Sequence, residues 1–427
     1  MNKRVLILST VLVAAVVALA AMILFARSGR RMSGLLRQEV YVWQRAWSQP
    51  VRDAVSQRAT NFSALAVLKA EVSWLDKRPQ VARVALDYQT FSDVQRPIGI
   101  ALRIGPYAGP FKADDPIGSF IADLCASLVA EARTNQLQLS ELQIDFDCAE
   151  SKLDGYRVWV EMIQRRLSPL PVTITALPSW LDSRAFQRLA TVATNYVLQV
   201  HSVERPKSFA SPFTLCDPRA ASRAVERAGR MGVPFRVALP TYGYLLAFDP
   251  AGKFLGLSAE GPRPNWPTNA VIREVSSNPM ELAGLVQSWT HSRPAAMRGV
   301  IWYRLPTIVD NFNWRWPTLG AMLETRVPRE VLRVNSRRVE SRLVEISLAN
   351  EGELDISSRL AVEVRWSKAR LMAGDALRDF ELADSSTSAA RFQTRSQPSR
   401  IRAGESLVLG WLRFDQDCEV RCELKKQ

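Results

Sequence analysis

Two acidic residues interrupt the end of an apolar run. In Leu142-Gln-Ile-Asp-Phe-Asp-Cys148 apolar and polar side chains alternate, which predicts a β-strand with Gln143, Asp145 and Asp147 on one face. Because neighbouring carboxylates repel each other, the less solvated one should have a raised pKa. One acid could then stay ionised while the other holds a proton to donate, as general acid–base catalysis requires. The structural alternative is a pair that caps loop amides or helix N-termini.

A second strand end carries polar side chains in the same alternation. Gln199 and His201 share a face of the run that begins at Val197. His201 could position or protonate a substrate oxygen, and Gln199 offers both a donor and an acceptor. A histidine that is hydrogen-bonded within a network at the end of the strand is an equally good interpretation.

Aromatic residues are frequent at the ends of the predicted strands, and flat aromatic faces suit sugar rings. The strand-end aromatics selected as substrate-binding candidates are Trp43, Trp180, Tyr242 and Trp302. Packing in the core is the commoner role of any single tryptophan. The set therefore favours a carbohydrate ligand only when it is considered together with the polar strand ends.

Several other chemistries are excluded. The chain has only two histidines, His201 and His291, and neither lies in an HExxH or CxxC context, so we predict no metal site. The sequence contains no Gly-x-Ser-x-Gly elbow and no phosphate-binding Walker motif, and we predict no cofactor.

These candidate residues belong to a chain that alternates short apolar runs with amphipathic helical segments. The predicted strands are Glu39–Trp47, Leu65–Trp74, Pro97–Ile104, Leu139–Cys148, Pro171–Trp180, Asn195–Ser202, Pro234–Tyr244 and Arg298–Leu305. Eight strands alternating with helices predict a (β/α)₈ TIM-like barrel over residues 32–326, whose functional residues would lie at the carboxyl ends of the strands. An open doubly wound sheet is the competing fold, but no Gly-rich phosphate loop follows any strand.

The last hundred residues have a different pattern. Short strand-like runs separated by Asn-Glu-Gly and Ala-Gly turns, without a useful amphipathic helix, predict a β-sandwich over residues 327–427. The Ser/Thr-rich stretch Asp384–Arg402 is expected to be a long loop.

The N-terminus predicts a membrane segment. The segment Val5–Ala26 is apolar and flanked by basic residues. As a helix it is long enough to span a bilayer. We therefore expect residues 1–31 to form an uncleaved signal anchor in the inner membrane, with the rest of the chain periplasmic. Secretion to the periplasm after signal cleavage is the alternative.

The net charge of +14 and the five cysteines add little. The charge is spread along the chain and lacks a basic stripe, so nucleic acid is not the expected partner. Cys148 and Cys216 each follow a predicted strand, and a disulfide between them is a hypothesis because sequence cannot fix connectivity.

The strand-end segments also carry a family resemblance. Tyr41–Trp47, Leu142–Cys148, Thr173–Leu181, Val197–Ser202 and Val237–Tyr244 resemble an uncharacterised family of bacterial envelope proteins, a domain of unknown function of the DUF3142 type. This resemblance implies a glycosidase-like barrel and brings no established reaction.

A looser similarity connects the chain with chitinase-type glycoside hydrolases. Their fourth strand ends in Asp-x-x-Asp-x-Asp-x-Glu, and Asp145 and Asp147 match its two inner acids. Leu142 stands at the first position and Ala149 at the last, where that family keeps its catalytic acid. Either Asp147 has taken over as the acid, or the barrel binds sugars without cutting them.

The sequence thus predicts a membrane-anchored periplasmic protein that acts on an envelope or exported polysaccharide as a glycoside hydrolase-like enzyme. Asp147 would be the general acid and Asp145 its partner or base. Since both lie on one strand, a second carboxylate or substrate assistance would be needed, and the carboxylate candidates are Asp87, Glu71 and Asp310. The alternative is a non-catalytic glycan-binding or scaffold protein, in which the β-sandwich contacts an envelope protein.

Overall fold

In the computed structural model the chain forms two units. The boundary between them lies between Asn313 and Trp314. The structure describes residues 30–76, 78–112, 115–203, 205–260, 264–395 and 399–426.

The N-terminal unit contains the predicted eight-stranded parallel barrel. Each strand pairs with the next along the chain, and the eighth pairs with the first to close the ring. The strands are β1 Arg37–Val42, β2 Leu65–Leu75, β3 Ile98–Ile104, β4 Leu139–Phe146, β5 Val172–Ala176, β6 Tyr196–Gln199, β7 Phe235–Pro240 and β8 Met297–Tyr303. Their centres are buried, because a barrel strand is covered on both faces.

Helices connect most of these strands. They are α1 Gln49–Arg58, α2 Pro116–Thr134, α3 Leu153–Leu167, α4 Arg184–Ala193, α5 Pro218–Arg230 and α6 Pro279–His291. Three of them begin with proline behind a capping side chain: Asp115, Asp217 and Asn278 each accept a hydrogen bond from a backbone amide of the first turn. This arrangement satisfies amides that have no partner inside the helix.

Two connections depart from a regular barrel. Between β2 and β3 the chain forms the strand Arg78–Arg83, antiparallel to β2, and a short 3₁₀ turn at Tyr88–Phe91. Between β7 and α6 it forms a small antiparallel sheet with Gly243–Phe248 in the centre, flanked by Phe254–Ser258 and Val271–Ser276. The predicted strand Pro234–Tyr244 is therefore two strands, and Tyr242 lies in the connection between them.

The C-terminal unit is a β-sandwich preceded by helix α7, Trp316–Leu323. One four-stranded sheet contains β9 Leu332–Glu340, β10 Leu343–Asn350, β12 Leu371–Ala376 and β15 Ser406–Phe414, and the other contains β11 Leu360–Trp366, β13 Phe380–Ser385, β14 Ala389–Thr394 and β16 Val420–Lys426. Buried residues of both sheets, such as Ile346, Val362 and Leu412, form one core. The prediction of a long loop over Asp384–Arg402 was wrong in part. Strand β14 lies within this segment and buries Ala390, Phe392 and Thr394.

The predicted fold class included an N-terminal transmembrane helix, and this part of the prediction is corrected. No helix within the described ranges is long and apolar enough to cross a membrane, and the segment for which it was predicted, 5–26, lies outside the described residues. The fold that the structure supports is a barrel and a β-sandwich.

The hypothesis of a Cys148–Cys216 disulfide is also corrected. Both thiols are free and buried, and burial raises the pKa of each to about 12. A buried, protonated thiol packs as a small apolar side chain, which accounts for two buried cysteines without a bridge.

Candidate functional site

A cavity of about 770 Å³ opens at the carboxyl ends of the barrel strands, the end at which barrel proteins hold their functional residues. Six of the residues selected from the sequence line it: Trp43, Asp145, Asp147, Gln199, His201 and Tyr242. They follow or end β1, β4, β6 and β7, so the barrel brings together side chains that are up to two hundred positions apart in the chain.

The two acids of β4 differ in their surroundings. Asp145 is partly buried and accepts a hydrogen bond from Thr175 Oγ1 at 2.8 Å, whereas Asp147 is exposed. Burial, followed by the nearby charge of Asp147, raises the pKa of Asp145 to about 6. Asp145 is therefore the carboxyl that can hold a proton near neutral pH.

Two arginines lie beside the acids of β4. Arg103 Nε lies 4.0 Å from Asp145 Oδ2, and Arg103 and Arg45 both pair with Glu71. Burial would raise the pKa of Glu71, but its hydrogen bond with Arg45 and the two positive charges outweigh burial and lower it. Glu71, a candidate second carboxylate, is thus held ionised between two cations and does not itself line the cavity.

His201 is part of a hydrogen-bonded chain of side chains. Its Nδ1 lies 3.1 Å from the Tyr242 hydroxyl, which lies 3.1 Å from the Tyr244 hydroxyl, and Tyr244 in turn contacts Ser202 Oγ at 2.8 Å. Burial lowers the pKa of His201 to about 3, so the ring is neutral at ordinary pH. Its Nε2 is buried and has no hydrogen-bond partner in the described part of the chain.

Aromatic rings form another part of the wall. The Trp43 and Tyr303 ring centroids are 5.5 Å apart, and those of Tyr242 and Tyr303 are 5.4 Å apart. Tyr244 also lines the cavity. Aromatic rings and polar side chains therefore line one opening, the combination that small-molecule sites typically have.

Three selected residues do not reach the cavity, and their assignment as substrate-binding residues is corrected. Gln143 is buried inside the barrel, where it accepts a hydrogen bond from Tyr41 and donates one to Glu141. Trp302 is fully buried and donates to Gln38. Trp180 is buried against Phe186, with ring centroids 5.9 Å apart. The two tryptophans cannot stack on a sugar, because no ligand can reach their ring faces.

The other two carboxylate candidates are also explained by local structure. Asp87 caps the 3₁₀ turn through Thr90 and pairs with Arg52. Asp310 is buried and bound to Arg304, to the amide of Thr307 and to Asn313. Neither lines the cavity.

Sequence reasoning missed several residues of the site: Arg45, Arg103, Ser202, Arg205, Glu260 and Arg304. Arg103 had a detectable signal, because it interrupts the apolar end of β3 as Asp145 interrupts β4. Glu260 had none, since it lies in a connection whose path depends on the small antiparallel sheet.

The raised pKa of Asp145 predicts that Asp145→Asn stabilises the protein at alkaline pH. A carboxyl whose pKa is higher in the folded state favours folding below its unfolded pKa of about 4, and this contribution is lost as the pH rises through about 6. Asn cannot ionise, so the free energy of unfolding should rise by about 2–3 kcal/mol at pH 8 and change little at pH 4. Urea unfolding at both pH values measures the difference. An equal effect at both would contradict the prediction.

The N-terminal unit is thus an eight-stranded parallel barrel whose fourth strand ends in two acids at a cavity of rings and polar groups. The chain is similar in fold to the C-terminal domain of a putative chitinase from Desulfitobacterium hafniense DCB-2, with 10% identity, a TM-score of 0.50 and coverage of 69% of this chain and 98% of that one. It is also similar to the spore cortex-lytic enzyme SleL of Bacillus cereus (11% identity, TM-score 0.48, 69% and 75% covered) and to a chitinase from Chromobacterium violaceum ATCC 12472 (15%, 0.45, 68% and 98%).

The family resemblance predicted from the sequence is confirmed. Residues 112–308 match the family described as Domain of unknown function (DUF3142), and residues 333–415 match Domain of unknown function (DUF8456). No curated protein sequence matches the chain.

Proposed function

We propose that the barrel binds a carbohydrate polymer in the cavity at its strand ends and hydrolyses glycosidic bonds there. The observation that carries the proposal is the pair of β4 acids, one of them partly buried with a pKa of about 6, in a cavity lined by aromatic rings. Such a carboxyl can give a proton to a leaving oxygen, as glycoside hydrolysis requires.

In this mechanism Asp145, and not Asp147 as predicted from the sequence, is the general acid. Asp145 is the less exposed of the two and keeps its proton up to about pH 6. Asp147 stays at the open edge of the cavity, where its charge helps to hold that proton on Asp145. Thr175 fixes the orientation of the Asp145 carboxyl through its hydrogen bond.

Substrate hydroxyls would be held by the neutral side of the cavity. Gln199 lies at its wall, and its amide can donate and accept hydrogen bonds without a charge. The rings of Trp43 and Tyr242 line the same cavity.

A non-catalytic glycan-binding protein is the second candidate. The observation that favours it is Ala149, a residue without an ionisable group at the position where the chitinase-type motif keeps its catalytic acid. In that case the same cavity would bind a glycan and release no product.

The release of reducing ends separates the two candidates. Purified protein is incubated with chitin, cellulose and purified bacterial cell-wall glycan, and new reducing ends are counted. Release from at least one polymer supports hydrolysis, whereas binding without release supports the second candidate. If the protein neither binds nor cleaves any of these polymers, both candidate functions are contradicted.

The cellular location stays a prediction. Export is expected from the apolar run Val5–Ala26, and a periplasm-dependent reporter fused to the end of the chain would be active if the expectation is right. The contact of the C-terminal unit with an envelope protein likewise stays a prediction.

A further inference from the structure

We infer that Glu260 is the second carboxylate of the site and acts as the general base of an inverting hydrolysis. This inference rests on the proposed function and adds to it a residue and a stereochemical outcome. Glu260 lines the same cavity as Asp145. Of the residues described at the cavity wall, the carboxylates are Asp145, Asp147 and Glu260.

The topology places Glu260 across the opening from the acids of β4. Its side chain is bound to the backbone of Phe312 and Asn313, in the loop that follows β8. In a closed ring of eight strands, β8 lies four positions from β4 in either direction. A glycan bound in the cavity would therefore have Asp145 on one side and Glu260 on the other. This is the arrangement that two side chains of β4 cannot provide by themselves.

The carboxylate of Glu260 is held in a fixed position. Its Oε1 accepts hydrogen bonds from the amides of Phe312 and Asn313, the latter at 3.2 Å. The same oxygen takes both bonds, which leaves Oε2 for a ligand or a water molecule. A base positioned in this way needs no rearrangement when the substrate arrives.

The loop that supplies these amides is itself held by buried hydrogen bonds. Asp310 accepts from the amide of Thr307 at 2.8 Å and from Asn313 Nδ2 at 3.1 Å, and it pairs with Arg304 at 2.8 Å. Thr241 donates to Asn313 Oδ1 at 2.7 Å. Asp310, which the sequence suggested as a catalytic carboxylate, thus has a positioning role for Glu260.

The reaction is balanced by one water molecule. Glu260 Oε2 takes a proton from the water molecule while the oxygen of that water molecule forms a bond to the anomeric carbon. The bond between that carbon and the glycosidic oxygen breaks, and the leaving oxygen takes the proton of Asp145. Two hydroxyl products result, and the two carboxyls return to their starting states by exchanging a proton with solvent. Attack opposite the leaving group inverts the anomeric configuration.

Glu260→Gln tests the inference with the full chain and three probes: chitohexaose, cellohexaose and a cell-wall glycan hexasaccharide. Gln keeps the oxygen that accepts the two amide hydrogen bonds and loses the ability to take a proton. Turnover of the probe that the wild type cleaves should fall at least about 100-fold, with the Kd for that probe changed less than about threefold. Glu274→Gln is the matched control, because Glu274 is exposed on the small antiparallel sheet next to the connection that carries Glu260 and lies outside the cavity.

Two further measurements separate the roles of the acids. Proton NMR of the first product should show inverted anomeric configuration. A 2,4-dinitrophenyl glycoside of the same sugar has a leaving group that needs no proton, so Asp145→Asn should retain most of its turnover while Glu260→Gln loses it.

A product with retained anomeric configuration would overturn the inference and leave the proposed function standing. The same holds if Glu260→Gln turns over the probe as fast as the wild type while Asp145→Asn is inactive. Failure of the wild type to cleave any of the three probes would overturn both.

Discussion

Asp145→Asn should lower the turnover of a glycan substrate by about 10²–10⁴-fold while leaving its Kd almost unchanged. Asn has nearly the same size as Asp and can still accept the hydrogen bond from Thr175, so the shape of the cavity should persist. What is lost is the proton that the leaving oxygen needs. Turnover is measured on whichever polymer the wild type cleaves, and the Kd is measured by calorimetry.

The pH dependence of the wild type gives the same prediction an independent readout. Because Asp145 must be protonated to act as the acid, kcat should fall as the pH rises through about 6. His201 should not contribute to this profile, since burial lowers its pKa to about 3.

Asp147→Asn is the control for the role of Asp145. The charge of Asp147 is one cause of the raised pKa of Asp145. Removing it should move the alkaline limb of the profile to lower pH while activity at acidic pH persists. If Asp147→Asn abolishes turnover at every pH and Asp145→Asn does not, the original assignment of Asp147 as the acid is right instead.

The alternation along β4 shows how far sequence reasoning could go. It placed Gln143, Asp145 and Asp147 on one face, and the structure agrees. It could not give their depth: Gln143 is inside the barrel, Asp145 is partly buried at the cavity, and Asp147 is exposed. Depth depends on where the neighbouring strands end, which is a property of the closed ring and not of one strand.

The tryptophans illustrate a second limit. Trp43 and Trp302 both occur near the carboxyl ends of strands, yet Trp43 lines the cavity and Trp302 is fully buried with its Nε1 bonded to Gln38. An aromatic ring suits either environment equally well. Only the packing of the adjacent strands decides between them.

Strand β14 was missed for a similar reason. Its sequence Ala-Ala-Arg-Phe-Gln-Thr has a single large apolar residue, Phe392, and lies in a Ser/Thr-rich region. Pairing with β11 and β13 completes the strand, and small side chains at the alternate positions are sufficient because Phe392 fills the core. Long-range pairing of this kind leaves little trace in a local pattern.

Arg236→Met should strongly destabilise the barrel. Arg236, near the start of β7, binds Glu39 of β1 at 2.5 Å and both oxygens of Glu141 of β4 at 2.7 and 2.8 Å. All three side chains are largely buried. Removing the cation would leave two buried carboxylates without their partner, so we expect the free energy of unfolding to fall by about 3–5 kcal/mol.

The loss should depend on pH in a defined direction. Burial would raise the pKa of Glu141, but the charge of Arg236 outweighs it and lowers the pKa, so in the wild type this group contributes stability that is lost as the pH falls through its folded value. Without Arg236 only the hydrogen bonds from Thr173 and Gln143 still oppose the effect of burial on Glu141, and Glu141 can avoid the cost of ionisation by taking up a proton. The deficit of Arg236→Met should therefore be largest at pH 8 and shrink toward pH 4.

Urea unfolding at both pH values measures this deficit, with Arg219→Met as the control because Arg219 is an exposed arginine in the first turn of α5. A second variant shows whether the cost comes from unpaired charge or from lost packing. Adding Glu141→Gln to Arg236→Met removes one of the uncompensated carboxylates, so it should recover part of the stability at pH 8 and little at pH 4. A deficit that is independent of pH and unaffected by Glu141→Gln would mean that Arg236 acts by filling space between β1, β4 and β7 instead of by charge.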